Sequence, residues 1–134
     1  MATDVRADRK YTKDHEWAAA VGGEGGKVRI GITAYAVDQL GDITLLNLDV
    51  KAGDDLAEGK AFGTIESVKT LSDLFAPVAG KVSAVNDALV GGPEAVNTDC
   101  WSAWMVEIDP SDAKAIDGLM DAAAYEALLA SIDH

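Results

Sequence analysis

One lysine, Lys69, stands where the chain is expected to reverse, and its primary amine is a group that an enzyme could acylate. Residues 61–65 before it and residues 74–78 after it are rich in apolar and β-forming side chains. Residues 66–73 between them are polar and compatible with a turn. These patterns predict a hairpin that holds the Lys69 amine in water. Because exposed lysines are common, this placement alone does not distinguish an attachment site from an ordinary solvated side chain.

A faint internal repeat flanks this predicted hairpin. Residues 41–47 (GDITLLN) align with residues 80–86 (GKVSAVN), and both copies read glycine, any residue, aliphatic, hydroxyl, apolar, aliphatic, asparagine. Two copies joined by one hairpin predict two similar β units packed about a pseudo-twofold axis. Lys69 would then lie in the connection between the two units.

Three longer motifs follow one another along the chain. They are YTKDHEW at residues 11–17, GITxYAxDQLGD at residues 31–42 and ESVK at residues 66–69. Two shorter motifs are GDxLxxG at residues 53–59 and APVxGxV at residues 76–82. The shorter motifs resemble the lipoyl and biotinyl carrier domains, in which a cofactor acylates the hairpin lysine. The longer motifs resemble the H protein family of the glycine cleavage system, and this resemblance runs over about residues 11–129.

The resemblance implies a mainly β fold, a barrel-sandwich hybrid of two small antiparallel sheets with short peripheral helices and a C-terminal helix. It implies one lipoyl-carrier domain over residues 1–134, with a β core at about 27–108, an N-terminal segment 1–26 and a C-terminal helical extension 110–134. The length suits one modest core. The chain departs from the family pattern at residues 97–104 (NTDCWSAW), which leaves the contacts of that loop open.

Local patterns predict the elements that would position the lysine. Strands are expected at residues 27–32, 43–48, 61–65, 74–76, 81–85 and 102–108, and a flexible hairpin loop at residues 22–26. In the last strand, Trp104, Val106 and Ile108 share one face and are expected in the core. A short helix over residues 34–40 is expected between Thr33 as its cap and Gly41 as its end. Asp121 is expected to cap a terminal helix whose apolar face is formed by Tyr125, Leu128, Leu129 and Ile132.

The composition limits the classes of partner and of chemistry. With 11 Lys and Arg against 23 Asp and Glu, the net charge of −12 disfavours nucleic acids and anionic membranes and favours partners with basic surfaces. Cys100 is the single cysteine, so no internal disulfide can form, and His15 and His134 are the only histidines. No catalytic or metal-ligating constellation is evident, so a non-catalytic protein is expected.

The sequence also bears on the compartment. No apolar run approaches the roughly 18 residues of a membrane helix, and the first ten residues lack the apolar core of a secretory signal. We therefore expect a protein of the bacterial cytoplasm, or of the mitochondrial matrix if the chain is a processed organellar protein.

The resemblance implies that lipoate is joined to Lys69 as an amide, with Glu66, Ser67 and Val68 completing the attachment motif. The arm would take the aminomethyl group of glycine from glycine decarboxylase (P protein) and pass it to an aminomethyltransferase (T protein). Dihydrolipoyl dehydrogenase (L protein) would reoxidise it. The expected partners are these three enzymes and a lipoate-attaching enzyme, and the expected oligomeric state is a monomer.

The resemblance further implies a cleft for the loaded arm. An aminomethyl thioether in water can lose ammonia and formaldehyde, so a cleft that excludes water would slow that loss. Its cationic amine should prefer carboxylates, and the resemblance points to His15, Glu16 and Asp73 as lining residues. Asp73 could equally be a turn residue, and His15 could only pack the N-terminal segment.

Three other functions remain open from the sequence. A biotin carrier normally has methionines beside its lysine, whereas Val68 and Thr70 occupy those places here, so biotin is disfavoured. A lipoyl-relay protein that passes lipoate to other enzymes would keep the same hairpin. An unmodified interaction module could share the fold without carrying a cofactor.

Overall fold

Two antiparallel sheets make up most of the computed structural model, which describes residues 5–21, 26–112 and 115–132, with Val21 as backbone only. The strands are β1 Lys10–Tyr11, β2 Glu16–Val21, β3 Lys27–Ile32, β4 Ile43–Leu48, β5 Asp55–Leu56, β6 Ala61–Ser67, β7 Leu71–Phe75, β8 Gly80–Val85 and β9 Val106–Pro110. The helices are α1 Ala34–Leu40, α2 Asp87–Gly91, α3 Ala95–Thr98 and α4 Ala122–Ile132, with a 3-10 turn at Ala115–Gly118.

The larger sheet has the strand order β1-β2-β3-β9-β8-β5, and the smaller sheet has the order β4-β6-β7. Every pair of neighbouring strands is antiparallel. The mainly β fold of two antiparallel sheets, with short helices and a C-terminal helix, is therefore confirmed. The sheets reach beyond the expected β core, because β1 and β2 add an edge to the larger sheet.

The core is built from alternating apolar positions of both sheets. In β3, Val28 and Ile30 are buried while Lys27 is exposed, as the alternating pattern predicts. The smaller sheet contributes Leu46 and Phe62 to the same cluster. One continuous core thus fixes the smaller sheet, with its hairpin, against the larger one.

The expected strand at residues 102–108 is wrong in its first half. β9 begins at Val106, because Asp99 holds the preceding residues in a turn: its carbonyl oxygen accepts from the N–H groups of Ser102 and Ala103. Trp104 is only half-buried, with the guanidinium of Arg29 4.7 Å from the centre of its ring. Val106 and Ile108 are fully buried, as expected.

The hairpin strands are longer on the tip side than expected. β6 runs to Ser67 and β7 begins at Leu71, because Glu66 and Leu71 still pair across the hairpin. Apolar composition did not mark the polar strand residues next to the tip, which are Glu66 and Ser67 in β6 and Ser72 and Asp73 in β7. The predicted loop at residues 22–26 lies, apart from Gly26, outside the described residues.

Both predicted helix caps are present. The Thr33 hydroxyl accepts from the N–H of Ala36 (3.3 Å), and the Asp121 carboxylate accepts from the N–H of Ala124 (2.9 Å). Gly41 ends α1 at φ 78° and ψ −146°, a positive φ that favours glycine but with a ψ outside the left-handed helical region. On α4, Ile132 is 46% exposed, so the apolar face is narrower than expected.

The two copies of the internal repeat lie in different sheets. The first copy supplies β4 of the smaller sheet and the second supplies β8 of the larger one. Ile43 and Val82, which are equivalent in the repeat, are both buried. The β6–β7 hairpin connects these two parts of the chain, and the pseudo-twofold relation between the two β units stays a prediction.

Candidate functional site

Lys69 lies at the tip of the β6–β7 hairpin. The strands pair as far as Glu66 and Leu71, and the N–H of Ser67 donates to the carbonyl oxygen of Thr70 (2.8 Å). The three residues of the tip, 68–70, are all exposed. The amine therefore stands on a rigid two-stranded support and is accessible from solvent.

Ser67 fixes the shape of this turn. Its side chain is buried, and its Oγ accepts from the N–H groups of Lys69 (3.1 Å) and Thr70 (3.2 Å). A small hydroxyl residue can do this because it bonds to the backbone two and three residues further on. The tip is therefore ordered by a side chain of the ESVK motif itself.

The loop between α1 and β4 supports the tip from one side. The N–H of Val68 donates to the carbonyl oxygen of Asp42 (3.0 Å). The Lys69 side chain passes over Gly41, so a methyl group at Gly41 would lie 3.4 Å from Cε and 3.9 Å from Nζ. Both the backbone and the side chain of the hairpin tip therefore contact this loop.

Exposed apolar side chains lie at the hairpin tip and on the adjacent part of the smaller sheet. Leu45 of β4 stands opposite Glu66 of β6, and Glu66 stands opposite Leu71 of β7, so these three side chains form one row across the smaller sheet. Leu45 is 42% exposed, Leu71 is 60% exposed, and Val68 at the tip is 67% exposed. We call Leu45, Glu66, Val68 and Leu71 the hairpin face. Exposed apolar groups gathered at one place are typical of a protein contact surface.

Glu16 is buried against β7. It is 2% exposed, and its carboxylate accepts from the Thr12 hydroxyl (2.9 Å) and from the N–H of Phe75 (3.1 Å). Burial raises the pKa of Glu16 to about 7, and the two hydrogen bonds only partly oppose this effect. Glu16 thus ties the N-terminal segment to the strand that carries Asp73.

His15 lies beside Glu16 in a cluster of aromatic residues. Its Nδ1 is 2.8 Å from the Tyr125 hydroxyl, which also lies 2.7 Å from the Thr33 hydroxyl. The rings of His15 and Tyr35 have centres 4.6 Å apart. Burial lowers the pKa of His15, although the neighbouring Asp14 opposes this effect. The backbone of His15 has a φ of 67°, which is uncommon for a residue with a side chain.

Asp73 is exposed on β7, opposite Thr64 of β6. Its side chain lies on the opposite face of β7 from the buried Leu74 and on the same face as Phe75. The N–H of Phe75 donates to the Glu16 carboxylate. Within the described ranges, no hydrogen bond joins Asp73 to His15 or Glu16. Glu16 therefore bonds the strand that carries Asp73, at Phe75, and within the described residues it forms no hydrogen bond with Asp73 itself.

The sequence did not indicate the polar partners of this region. Thr12 lies within the YTKDHEW motif, but its bond to Glu16 has no separate signal in the sequence. The sequence predicts Tyr125 on the apolar face of the terminal helix, and its ring is buried there. Its hydroxyl, however, contacts His15 and Thr33, which lie more than 90 residues earlier in the chain. A sequence pattern along one helix does not reveal such a long-range contact.

The described residues limit other kinds of site. They contain no group of three or more His, Cys, Asp and Glu side chains that could hold a metal ion. No helix in the described ranges is both long and apolar enough to cross a membrane.

A small two-sheet β fold that presents an exposed lysine on a hairpin places the chain in the class of lipoyl- and biotinyl-carrier proteins. The family model for Glycine cleavage H-protein matches residues 9–132. The chain belongs to the glycine cleavage H-protein family.

Relatives of known name agree with this assignment. The chain is 51% identical over 130 residues to the glycine cleavage system H protein of Myxococcus xanthus, covering 96% of this chain and 98% of the relative. It is 47% identical over 123 residues to that of Acidobacterium capsulatum, covering 92% of each. A crystal structure of a glycine cleavage system H protein from Mycobacterium marinum matches with a TM-score of 0.83 at 37% identity, covering 94% of this chain and 99% of that one.

Proposed function

We propose that this chain carries the aminomethyl group of glycine between the enzymes of the glycine cleavage system, on a lipoyl group joined to Lys69. The observation that carries this proposal is the exposed Lys69 amine at the tip of an ordered hairpin, in a chain of the H-protein family. When attached, the lipoyl group supplies a disulfide whose sulfur accepts the aminomethyl group. The chain itself supplies the amine, the support and the docking surface, and acts as a non-catalytic carrier.

The residues at the tip fit an attachment site. The Lys69 amine is accessible, so an acyl-transferring enzyme can reach it without opening the fold. Ser67 holds the turn through the N–H groups of Lys69 and Thr70, so the amine is presented from a defined backbone. Ordering the acceptor before the encounter lowers the entropic cost of reaching the reactive geometry.

Glu66 and Val68 serve the attaching enzyme in this proposal. Both side chains are exposed, and both belong to the hairpin face. Glu66 offers a carboxylate between two exposed leucines, Leu45 and Leu71. An enzyme that meets this row would present a basic group between apolar ones.

The carboxylates of the proposed cleft have separate roles. Asp73 is exposed and is the group that can face a cationic amine directly. Both carboxylate oxygens of Glu16 are engaged by Thr12 and Phe75, so Glu16 holds the segment that carries His15 against β7. A direct contact of Glu16 with the loaded arm would use the remaining acceptor sites of its carboxylate and would require this buried side chain to become accessible.

The proposed partners are glycine decarboxylase, the aminomethyltransferase, dihydrolipoyl dehydrogenase and a lipoate-attaching enzyme. The names of the relatives support these partners and do not favour a relay protein or an unmodified module. We further propose that the chain acts as a monomeric single domain. We place it in the bacterial cytoplasm, a location consistent with the bacterial origin of the relatives.

Intact mass spectrometry tests the attachment directly. The purified chain is incubated with lipoate, ATP and a lipoate ligase, and peptide mapping locates the added mass. We expect one lipoyl group on Lys69, none in Lys69→Arg, and normal addition in Lys60→Arg, a control at another exposed lysine. Absence of a mass gain, or a gain on another lysine, would overturn the proposed attachment site.

Transfer of the aminomethyl group tests the second half of the proposal. The lipoylated chain, glycine decarboxylase and glycine labelled in the methylene carbon are expected to give a labelled carrier that the aminomethyltransferase unloads. A lipoylated chain that neither stimulates glycine decarboxylation nor takes the label would contradict a role in glycine cleavage.

A further inference from the structure

Asn97 of α3 bridges the loop that supports the lysine. Its Nδ2 donates to the carbonyl oxygen of Gly41 (2.9 Å), and its Oδ1 accepts from the N–H of Ile43 (2.9 Å). One amide side chain therefore bonds the backbone on both sides of Asp42. The amide offers a donor and an acceptor side by side, whereas an ionised carboxylate of the same shape cannot donate.

The loop needs such a partner because the strand ladder is interrupted there. The register between β4 and β6 shifts between Ile43 and Leu45, which leaves Thr44 as an extra residue in a β-bulge. The Thr44 hydroxyl donates to the carbonyl oxygen of Glu66 (3.2 Å). Asn97 adds two hydrogen bonds just before the bulge, where sheet pairing ends.

The same loop holds the hairpin tip. Between the two backbone groups that Asn97 binds, the Asp42 carbonyl oxygen accepts from the N–H of Val68 (3.0 Å). Gly41 lies beneath the Lys69 side chain. Asn97 is itself exposed, but the neighbouring Val96 is buried in the core and anchors α3. A continuous path of contacts thus runs from the core through Asn97 and the loop to the residue next to Lys69.

We propose that Asn97 is a positioning residue for the Lys69 amine. Its side-chain amide fixes the backbone of residues 41–43, and this backbone fixes the tip of the hairpin. The inference deepens the proposed function and rests on it only for the lipoylation readout, because the ordering of the tip does not depend on what modifies Lys69.

Amide hydrogen exchange tests the ordering of the tip without any cofactor. In Asn97→Ala we expect the N–H groups of Val68 and Ile43 to exchange about three- to tenfold faster, because each depends on the fixed loop. The N–H of Ser67 is expected to be unchanged, because its acceptor Thr70 lies within the turn. Asn97→Asp keeps an acceptor for Ile43 but loses the donor to Gly41, so it should speed exchange at Val68 more than at Ile43.

Lipoylation kinetics measure the consequence for the amine. We expect kcat/KM of a lipoate ligase for the apo chain to fall about two- to fivefold in Asn97→Ala, a modest loss because the side chain is exposed to water. Thr98→Ala is the matched control. It lies on the same helix and loses only the local bond from its hydroxyl to the Glu94 carbonyl oxygen (3.3 Å).

Three results would overturn the proposal. Unchanged Val68 exchange in both Asn97 variants would show that the loop is fixed by other contacts. An equal effect of Thr98→Ala would mean that α3 acts only through general stability. Faster Val68 exchange with an unchanged kcat/KM would mean that the ordered tip does not position the amine. If the wild-type chain is not lipoylated at all, the proposed function fails, while the exchange result still decides whether Asn97 orders the tip.

Discussion

At the scale of single residues, Ser67 shows how a short polar side chain creates a site. Its hydroxyl replaces backbone partners for Lys69 and Thr70, so the hairpin tip can be tight and still hydrogen-bonded. Among the residues that the structure describes, the Lys69 side chain has no hydrogen-bond or ion-pair partner, and it passes over Gly41. Order in the backbone and freedom in the side chain are the combination that a swinging attachment point requires.

Ser67→Ala is expected to loosen this tip. The substitution leaves two N–H groups without their acceptor and should lower the free energy of unfolding by about 0.5–1.5 kcal/mol, measured by urea denaturation. It should also lower kcat/KM for lipoylation. Ser72→Ala is the control, because the Ser72 hydroxyl lies on the same hairpin and forms no hydrogen bond with the residues that the structure describes. Equal behaviour of the two variants would argue against a turn-shaping role for Ser67.

The buried Glu16 should make the free energy of unfolding fall as the pH rises toward neutral. Burial raises its pKa from the ordinary value of 4.5 to about 7, so the folded chain binds a proton that the unfolded chain has released between these pH values. The free energy of unfolding should therefore fall as the pH rises from about 4.5 through 7, by about 2–3 kcal/mol from this group. Other carboxylates add their own dependence, which makes a comparison between variants necessary.

Glu16→Gln isolates this contribution. The amide keeps the size of the side chain and an oxygen for the N–H of Phe75, but it does not titrate. Urea midpoints measured from pH 4.5 to 8 should show the wild-type chain losing stability relative to the variant as the pH rises. Parallel curves for the two proteins would mean that Glu16 titrates near its ordinary pKa in the folded chain.

At the scale of elements, α4 connects the C-terminal part of the chain to the β1–β2 turn. The ring of Tyr125 stacks on that of Tyr11, with centres 4.6 Å apart and planes 6° from parallel. Its hydroxyl reaches His15 and Thr33, the cap of α1. The Tyr125 side chain of α4 therefore contacts both the residue directly before β2, which is His15, and the residue that caps α1, which is Thr33.

Tyr125→Phe separates the hydroxyl from the ring. The stacking on Tyr11 is kept, while the polar groups of His15 and Thr33 lose a buried partner, which should cost about 1–3 kcal/mol in urea denaturation. Tyr35→Phe is the control, because it keeps the ring against His15 and removes a hydroxyl from a half-buried position. A loss as large in Tyr35→Phe as in Tyr125→Phe would show that the Tyr125 hydroxyl contributes nothing specific.

The same elements show what the sequence could predict. The local sequence pattern located β3 and β4 to the residue: charged or small residues alternate with aliphatic ones in β3, and β4 is a short run of mostly aliphatic and β-forming residues. It did not locate the start of β7, where Leu71 is exposed and the pairing depends on the partner strand. Turn residues between two apolar runs predicted the hairpin tip at Lys69, while the attachment role of this lysine stays a prediction. Asn97 bonds a loop more than 50 residues away, and no local pattern encodes that contact.

At the scale of the whole molecule, we expect the acidic charge to influence how the chain meets its partners. The net charge is −12, and Glu66 on the hairpin face and Asp73 on β7 add exposed carboxylates near Lys69. A carrier that visits several enzymes must bind each one briefly. Long-range attraction to basic surfaces speeds encounters without requiring a large buried interface.

Salt should therefore slow the encounter between the chain and its attaching enzyme. We expect kcat/KM for lipoylation to fall about three- to tenfold between about 20 and 300 mM salt, because the Debye length shortens over this range. Glu66→Gln should lower the low-salt value and flatten the salt dependence, since Glu66 lies within the hairpin face. Asp117→Asn, an equal change of charge in the 3-10 turn Ala115–Gly118, is expected to do much less. If both variants flatten the salt dependence equally, the net charge of the molecule drives association and the hairpin face has no special electrostatic role.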